Sequence, residues 1–275
     1  MSSADSVTSQ DSYDLNALEA TLAGTIFAGR LHFAAVTQST NTDALEAARV
    51  GAPPGSVFFA DEQLAGRGRG DHKWQSAAGQ GLYVSVLLRP AIPVARLALL
   101  PLAAGLAAAE AIREAAGLTV DLRWPNDLLI RPRKAGGILV EAKTEAGGIS
   151  YAVVGIGINV HQREFDPGLA TTGTSLDLET GRTVSRGGLL VALLKGLERE
   201  ADGLADDGAG VTIPRRVQQA STWIAGRRVQ VHGPQACSGM TEGLDGNGFL
   251  RVRTEDGVVT VQTGGLRAAE ADGRI

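Results

Sequence analysis

Two long apolar runs separated by a glycine-containing turn constrain the fold of this chain more than any other feature. The runs are GGILVEAKTE, at residues 136–145, and SYAVVGIGINV, at residues 150–160. Both are rich in residues that favour strands, and the segment between them is short, so together they predict a β-hairpin. A sheet that contains this hairpin is therefore expected to form part of an α+β body.

Further strand and helix patterns surround the hairpin. Strands are predicted at LHFAAV, SVFFADE, GLYVSVLLRP, LTVDLRW and DLLI, and helices over residues 15–28, 42–50, 93–116, 188–204 and 214–220. Ser39, Thr40 or Asn41 is expected to cap the helix at 42–50. The chain up to residue 225 therefore predicts an α+β fold in which a mixed sheet is packed by helices.

The pattern changes after Gly226. The segments RRVQVHG, SGMTEGLDGNGFLRVRT and GVVTVQTGGLR read as short strands separated by glycine turns. This spacing is typical of a small β-barrel. We therefore predict a disordered tail at residues 1–13, a main domain at 14–225 and a small C-terminal barrel at 226–275.

Composition argues against several classes of protein. Cys237 is the single cysteine among 275 residues, so neither an intrachain disulfide nor a site of several thiolates can form. The formal net charge is -4, which lacks the basic excess of proteins that grip nucleic acid, so we expect no DNA binding. The most apolar segment, residues 93–112, is interrupted by Arg96, Pro101 and Glu110. We therefore expect no membrane span and, with no signal peptide at the start, a cytoplasmic location.

Polar segments lie beside several predicted strand ends, where proteins of this class commonly build sites. They are STN at 39–41, GRGRGDHKW at 66–74 with Gln63 before it, RWPND at 123–127, and RKAGGILVE at 133–141 followed by GIGINV at 155–160. Arg67, Arg69 and Lys134 are cations suited to a phosphate or a carboxylate. Trp74 offers a ring face to a nucleobase. The segments together predict a pocket with one anion-binding region and one apolar region.

Each segment taken singly also has a structural explanation. GRGRG matches neither the Walker lysine loop nor a G-x-G-x-x-G fingerprint, and such a segment is more often a surface turn. STN is most simply a helix cap, WPND a proline turn and Lys134 a solvated charge. The histidines follow no metal-ligand spacing. The functional signal therefore lies in the order of the segments along the chain.

The order S-T-N, Q-x-x-G-R-G-R-x-x-x-x-W, W-P-N-D, K-x-x-G-I-L-V-E and G-I-G-I-N-V resembles that of the biotin protein ligases, over residues 31 to about 200. The resemblance implies a catalytic domain like that of class II synthetases, followed by an SH3-like barrel. It implies that biotin and ATP, with Mg²⁺, form biotinyl-5′-AMP. It also implies that biotin then passes to a lysine of a biotin carboxyl carrier domain.

The resemblance also implies residue roles. Biotin would contact Ser39, Thr40, Asn41, Gln63, Arg67, Gly68, Arg69, Lys134, Gly137 and Ile138. ATP or the adenylate would contact Arg69, Trp74, Asn126 and Asn159, and Asp127 would contact Mg²⁺. Lys134, Arg67 and Arg69 would be the catalytic cations, because the reactants are anions and positive charge stabilises the transition state between them. The glycine-arginine loop would close over the reactive adenylate.

Two positions depart from the family pattern. His72 stands where a third arginine is usual, and Arg123 stands where lysine often precedes W-P-N-D. The chain before Leu31 is too short for the DNA-binding domain of some members, so a monofunctional enzyme is expected.

Two alternative functions stay open. One is a lipoate or octanoate ligase of the same superfamily, and the other is a non-enzymatic biotin-binding regulator. Ser39, Thr40 and Gln63 favour biotin, because a ureido ring needs polar partners whereas a linear acyl chain needs an apolar tunnel. The oligomeric state, monomer or homodimer, also stays open.

Overall fold

The computed structural model describes residues 12–70, 72–146 and 148–269, and these residues form two sheets and several helices. The helices are α1 (Leu15–Thr21), α2 (Thr40–Arg49), α3 (Leu99–Ala116), α4 (Leu176–Thr180), α5 (Arg186–Ala205) and α6 (Ala209–Gln219). The first sheet holds β1 (Leu31–Thr37), β2 (Val57–Gln63), β3 (Gly81–Leu88), β4 (Asp121–Arg123), β5 (Asp127–Ile130), β6 (Arg133–Glu145) and β7 (Gly148–Asn159). The second sheet holds β8 (Ala225–His232), β9 (Cys237–Leu244), β10 (Leu250–Thr254), β11 (Gly257–Val261) and β12 (Gly265–Ala268).

The first sheet is mixed. Its strand order is β1-β2-β3-β7-β6-β5-β4, in which β1 and β2 run parallel and the other neighbours run antiparallel. The predicted hairpin is β6 and β7, which pair from Glu145 and Gly148 back to Gly136 and Ile158. The expected α+β class with a mixed central sheet is confirmed.

The register of the central strands separates two faces of the first sheet. On one face, which we call the core face, Val84, Ile156 and Ile138 are neighbours and are buried beneath α3 and α5. On the opposite face, which we call the site face, Ser85 pairs with Gly155 and Leu87 pairs with Val153. Because side chains alternate along a strand, the order V-V-G-I-G-I-N puts isoleucine on the core face and glycine on the site face.

Two long helices cover the core face, and local signals define their ends. The alanine-rich α3 favours a helix by propensity and ends at Gly117, whose positive φ of 71° suits a residue without a Cβ. The hydroxyl of Ser185 accepts from the Gly188 amide and so caps the start of α5. Among the described residues, every helix is too short or too polar to cross a lipid bilayer.

The second sheet is antiparallel, with strand order β11-β10-β9-β8-β12, and begins at Ala225, close to the predicted change of pattern. Its buried residues join the same hydrophobic core as those of the first sheet. The Trp124 indole N–H donates to the Gly248 carbonyl at 3.1 Å, which ties the W-P-N-D turn to this sheet. A small barrel-like C-terminal unit fits this arrangement, and its independence as a domain stays a prediction.

Two boundaries near the N-terminus differ from the sequence expectation. The first helix was predicted over residues 15–28, but α1 ends at Thr21 and turns follow it. Most of the predicted disordered tail, residues 1–11, lies outside the described residues. Its last residue, Tyr13, packs edge-on against Phe33 and Phe59 at centroid distances of 5.6 and 5.0 Å. An aromatic side chain in a polar segment was therefore the signal that the ordered chain starts earlier.

Candidate active site

Glycines of β6 and β7 form the floor of the candidate site. Gly137 and Gly157 pair across the hairpin, and both lie on the site face. A Cβ at Gly157 would lie 2.5 Å from the Trp74 indole nitrogen, and a Cβ at Gly155 would lie 1.9 Å from Asn41 Oδ1. These positions therefore need glycine because other side chains rest directly on the backbone.

Buried polar groups form one end of the site, which we call the polar end. Gln63 Oε1 accepts from the Thr40 amide at 2.9 Å and from its hydroxyl at 3.1 Å. Thr40 Oγ1 also lies 2.7 Å from Ser85 Oγ, and the Ser85 hydroxyl donates to Asn41 Oδ1 at 2.6 Å. The Asn41 amide in turn donates to Glu141 at 2.8 Å. Because each side chain in this series of hydrogen bonds fixes the next one, the series sets the orientation of the Asn41 amide.

Arg67 belongs to the polar end. Its guanidinium makes a bidentate pair with Glu141, at 3.1 and 2.8 Å. Glu141 thus holds both the Asn41 amide and the glycine-arginine loop, which we call the arginine loop (residues 64–70 and 72–80). Ser39, by contrast, is buried at the N-cap position of α2 without a side-chain capping bond.

Charged groups form the other end of the site, which we call the cationic end. Lys134 Nζ lies 2.5 Å from one Asp127 oxygen, and Arg123 donates to the other oxygen at 2.7 and 3.1 Å. Burial raises the pKa of Asp127, but the charges and hydrogen bonds of Lys134 and Arg123 outweigh it and hold the pKa below its ordinary value. Arg123 is itself fixed by Thr171 at 2.9 Å and by stacking on Trp223. The Asp127 carboxylate is therefore the counter-ion that positions Lys134.

Trp74, which is predicted to contact ATP or the adenylate, lies between the two ends. Its ring rests over Gly157 and near Gly137, and the Lys134 ammonium is 5.6 Å from its centroid. The indole N–H is buried and has no hydrogen-bond partner within the described residues. It is thus a donor at the centre of the site.

Arg69 reaches in a different direction from Arg67. It donates to the Gly264 carbonyl at 2.8 Å and to the Thr263 hydroxyl at 3.1 Å, both in the turn between β11 and β12. Burial lowers the pKa of Arg69, and the nearby charge of Asp127 opposes this shift. The backbone amide of Gly68 donates to the His72 carbonyl at 2.7 Å, and this bond closes the turn of the loop that contains Arg69. The exposed His72 side chain is not needed for that bond.

Three other residues predicted to contact a ligand, Ile138, Asn126 and Asn159, have partners within the protein. The Ile138 side chain is on the core face beside Gly105 of α3, so only its backbone borders the site. The Asn126 amide donates to the Ile138 carbonyl at 2.7 Å. The Asn159 amide donates to the Thr174 carbonyl at 3.0 Å and to that of Lys134 at 3.5 Å. These asparagines therefore hold the strand that carries Lys134, and Asn159 does so while buried.

The residues present do not fit a resident magnesium ion. Both Asp127 oxygens already accept from cations, and no group of three or more acidic, histidine or cysteine side chains lies together in the part of the chain that is described. Hard cations need several oxygen ligands. The predicted Asp127–Mg²⁺ contact is therefore not supported by this geometry, and the carboxylate serves as a counter-ion.

Sequence reasoning missed two residues of the polar end. Ser85 is fully buried in an otherwise apolar strand, and Glu141 is the last residue of K-x-x-G-I-L-V-E. A lone hydroxyl in GLYVSVLL was a usable signal, because a buried polar group needs a partner. The ion pair of Glu141 with Arg67 could not be predicted from a local pattern, since the two residues are 74 positions apart in the sequence.

The chain belongs to the biotin/lipoate A/B protein ligase family, whose profile matches residues 33–159. Within this family it is similar to biotin ligases. It is 40% identical over 166 residues to the bifunctional ligase/repressor BirA of Bacillus subtilis. The matched segment is 60% of this chain and 51% of that protein. The chain thus spans about half the length of that relative. It is 32% identical over 243 residues to a biotin–[acetyl-CoA-carboxylase] ligase of Mycobacterium tuberculosis, covering 86% of this chain and 87% of the relative.

A solved structure extends the likeness over most of the chain. The biotin protein ligase from Aquifex aeolicus, in complex with biotin and ATP, superposes with a TM-score of 0.75 at 28% identity. The match covers 88% of this chain and all of that one. The resemblance inferred from the order of motifs is therefore confirmed at the level of family and fold.

Proposed function

We propose that the protein is an ATP-dependent biotin protein ligase. It would form biotinyl-5′-AMP from biotin and ATP and then transfer biotin to a lysine of a biotin carboxyl carrier domain. The observation that carries the proposal is the two-ended site. A buried, hydrogen-bonded polar end is joined by a glycine floor to the ammonium of Lys134. A ligand with a polar ring at one end and a carboxylate at the other matches this layout.

In the first step the biotin carboxylate oxygen attacks the α-phosphorus of ATP. A C–O–P bond forms, the bond between the α-phosphorus and the bridging oxygen breaks, and pyrophosphate leaves with the electron pair. Both reactants are anions, so a fixed cation stabilises the charge that develops. Lys134 fits this role because Asp127 and the Trp74 ring hold its ammonium in place. Arg69 supplies further positive charge from the side of the second sheet.

In the second step a neutral lysine amine of the carrier attacks the acyl carbon of biotinyl-5′-AMP. The C–N bond forms, the C–O bond to AMP breaks, and the ammonium proton is lost to solvent. The enzyme need not supply a nucleophile. Its contribution is to hold the adenylate and to exclude water until the carrier arrives. The M. tuberculosis relative is named a biotin–[acetyl-CoA-carboxylase] ligase, which supports a carrier domain of acetyl-CoA carboxylase as the acceptor.

The polar end distinguishes biotin from a linear acyl chain. Thr40, Asn41 and Ser85 are all buried and hydrogen-bonded to one another, so a hydrocarbon tail packed on them would meet polar groups and make no hydrogen bond with them. A ureido ring can instead donate to and accept from such groups. This comparison favours a biotin ligase over a lipoate or octanoate ligase.

The test combines the protein with biotin, MgATP and a purified carrier domain. We expect the carrier mass to rise by one biotinyl group, with pyrophosphate released in equal amount. Biotin binding without pyrophosphate release would point to a non-enzymatic regulator. Modification by lipoate but not by biotin would point to the other branch of the family.

A further inference from the structure

The turn between β11 and β12 contains the acceptors of Arg69. The Arg69 guanidinium meets the Gly264 carbonyl with one nitrogen and the Thr263 hydroxyl with the other. These bonds cross from the arginine loop to the second sheet. Arg67, two positions earlier, pairs instead with Glu141 of the first sheet. The arginine loop is therefore fastened to both sheets.

The shape of that turn is built by its neighbours. Gln235 Oε1 accepts hydrogen bonds from the backbone amides of Gln262 and Thr263 at 2.7 and 3.3 Å. The side-chain amide nitrogen of Gln235 donates to the Thr260 carbonyl at 3.1 Å. Gly264 has a φ of 153°, and a Cβ there would lie 2.6 Å from the His232 carbonyl oxygen. A substituted Gly264 would therefore meet both backbone strain and a steric clash. The turn is held in one shape by groups that do not touch the site.

We propose that the turn at residues 262–264 is a catch for the arginine loop, with Thr263 and Gln235 as positioning residues. This inference rests on the proposed function. Thr263 orients the Arg69 guanidinium at the cationic end, and Gln235 orients Thr263. The second sheet thereby takes part in closing the site, although neither residue contacts Lys134 or the polar end through any hydrogen bond described.

The catch has a chemical consequence. The mixed anhydride of biotinyl-5′-AMP reacts with water to give biotin and AMP, so a loop that opens early wastes ATP. Closure of the loop excludes water from the anhydride. A weakened catch should therefore separate the two steps: pyrophosphate release continues, but a smaller share of the adenylate reaches the carrier.

The main test is Thr263→Val, which removes the hydroxyl while keeping the shape of the side chain. The measured quantity is the ratio of pyrophosphate released to carrier biotinylated. We expect this ratio to rise roughly three- to tenfold, which corresponds to the net contribution of one typical hydrogen bond. Thr263→Ser should restore the wild-type ratio, and Gln235→Leu should raise it without touching Arg69. Thr254→Val is the matched control, because Thr254 makes its own turn bonds at the β10–β11 hairpin.

A second measurement needs no ligand and no activity. The amides of Gly68 and Trp74 are bonded within the arginine loop, at 2.7 and 2.9 Å. Their hydrogen exchange should be faster in Thr263→Val than in the wild type or in Thr254→Val, with all three proteins equally folded by thermal denaturation. The proposal would be refuted if hydrogen exchange of these amides were unchanged in Thr263→Val. It would also be refuted if Thr263→Ser had the same raised ratio of pyrophosphate released to carrier biotinylated as Thr263→Val. Failure of the wild-type protein to release pyrophosphate with biotin would instead refute the proposed function and leave the exchange result to decide on the catch.

Discussion

The polar end and the cationic end of the site satisfy their polar groups in different ways. At the polar end, Thr40, Asn41 and Ser85 are buried and form a chain of neutral hydrogen bonds that ends on Glu141. At the cationic end, the Lys134 side chain is 30% exposed and is balanced by the Asp127 carboxylate. Neutral buried groups are directional and costly to leave unpaired, whereas charges act over longer distances. Under the proposed function, the first arrangement would select a ligand shape, and the second would stabilise charge.

The comparison has a consequence for mutation. A change at the polar end should mainly lower the affinity for biotin, because under the proposed function those groups would contact the ligand in the same way before and after the reaction. A change at the cationic end should mainly lower the rate of adenylate formation, because the additional charge on the phosphate develops only during the reaction. Two predictions test this division and a third tests the counter-ion of the cationic end, from the largest expected effect to the smallest.

The largest effect is expected for Lys134→Ala. Loss of a preorganised positive group typically costs roughly 100- to 1000-fold in rate, or about 3–4 kcal/mol. Lys134→Arg should recover only part of the rate, because a planar guanidinium cannot reproduce a point charge. The measurement is biotin-dependent exchange between ATP and pyrophosphate, with no carrier present.

Lys143→Ala provides the control for this prediction. Lys143 is on the same strand, is exposed and pairs with Glu145 at the far end of the hairpin. It should exchange at the wild-type rate. Normal exchange by Lys134→Ala, together with slow transfer to the carrier, would move Lys134 to the second step.

A pair of alanine substitutions on β7 should separate the two ends with an intermediate effect. Gly155→Ala forces Asn41 to move, since the added Cβ would lie 1.9 Å from its oxygen. Overpacking of this kind costs about 1–3 kcal/mol, so we expect biotin affinity to fall at least about fivefold. Gly157→Ala meets Trp74 instead and should slow adenylate formation more than it weakens biotin binding.

Isothermal titration with biotin and pyrophosphate exchange, run on both variants, give the two readouts. The ratio of the effects matters more than either value. If both glycine variants lose biotin affinity and rate in the same proportion, the two ends do not act separately.

The smallest effect concerns acid stability. The folded pKa of Asp127 lies below its ordinary value, because Lys134 and Arg123 outweigh the effect of burial. Its contribution to the free energy of unfolding is therefore present above the unfolded pKa and is lost as the pH falls through the folded pKa. One proton changes stability by at most about 1.4 kcal/mol per pH unit.

Urea denaturation at several pH values between neutrality and pH 3 can measure this slope. Asp127→Asn should have a lower free energy of unfolding than the wild type at neutral pH. The difference between the two proteins should become smaller as the pH falls towards 3. A difference that stays constant down to the lowest pH at which both proteins fold would mean that Asp127 does not titrate below its unfolded value.

Local patterns in the sequence account for much of the fold. The alternation of glycine and isoleucine in G-I-G-I-N predicts both a strand and its two faces, because side chains alternate with a period of two. The change in turn content after Gly226 located the second sheet to within one residue of Ala225. The order of five motifs was enough to recognise the family. Each of these signals is made of short stretches of chain.

Contacts between distant segments were decided only by the tertiary structure. The sequence predicts that Arg67 and Arg69 both contact biotin, yet in the structure one pairs with Glu141 and the other with the β11–β12 turn. Ile138 was expected in the pocket, but the pairing of β6 with β7 turns its side chain to the core face. Sequence periodicity defines which residues share a face, but long-range packing decides which face meets the ligand and which partner satisfies each charge.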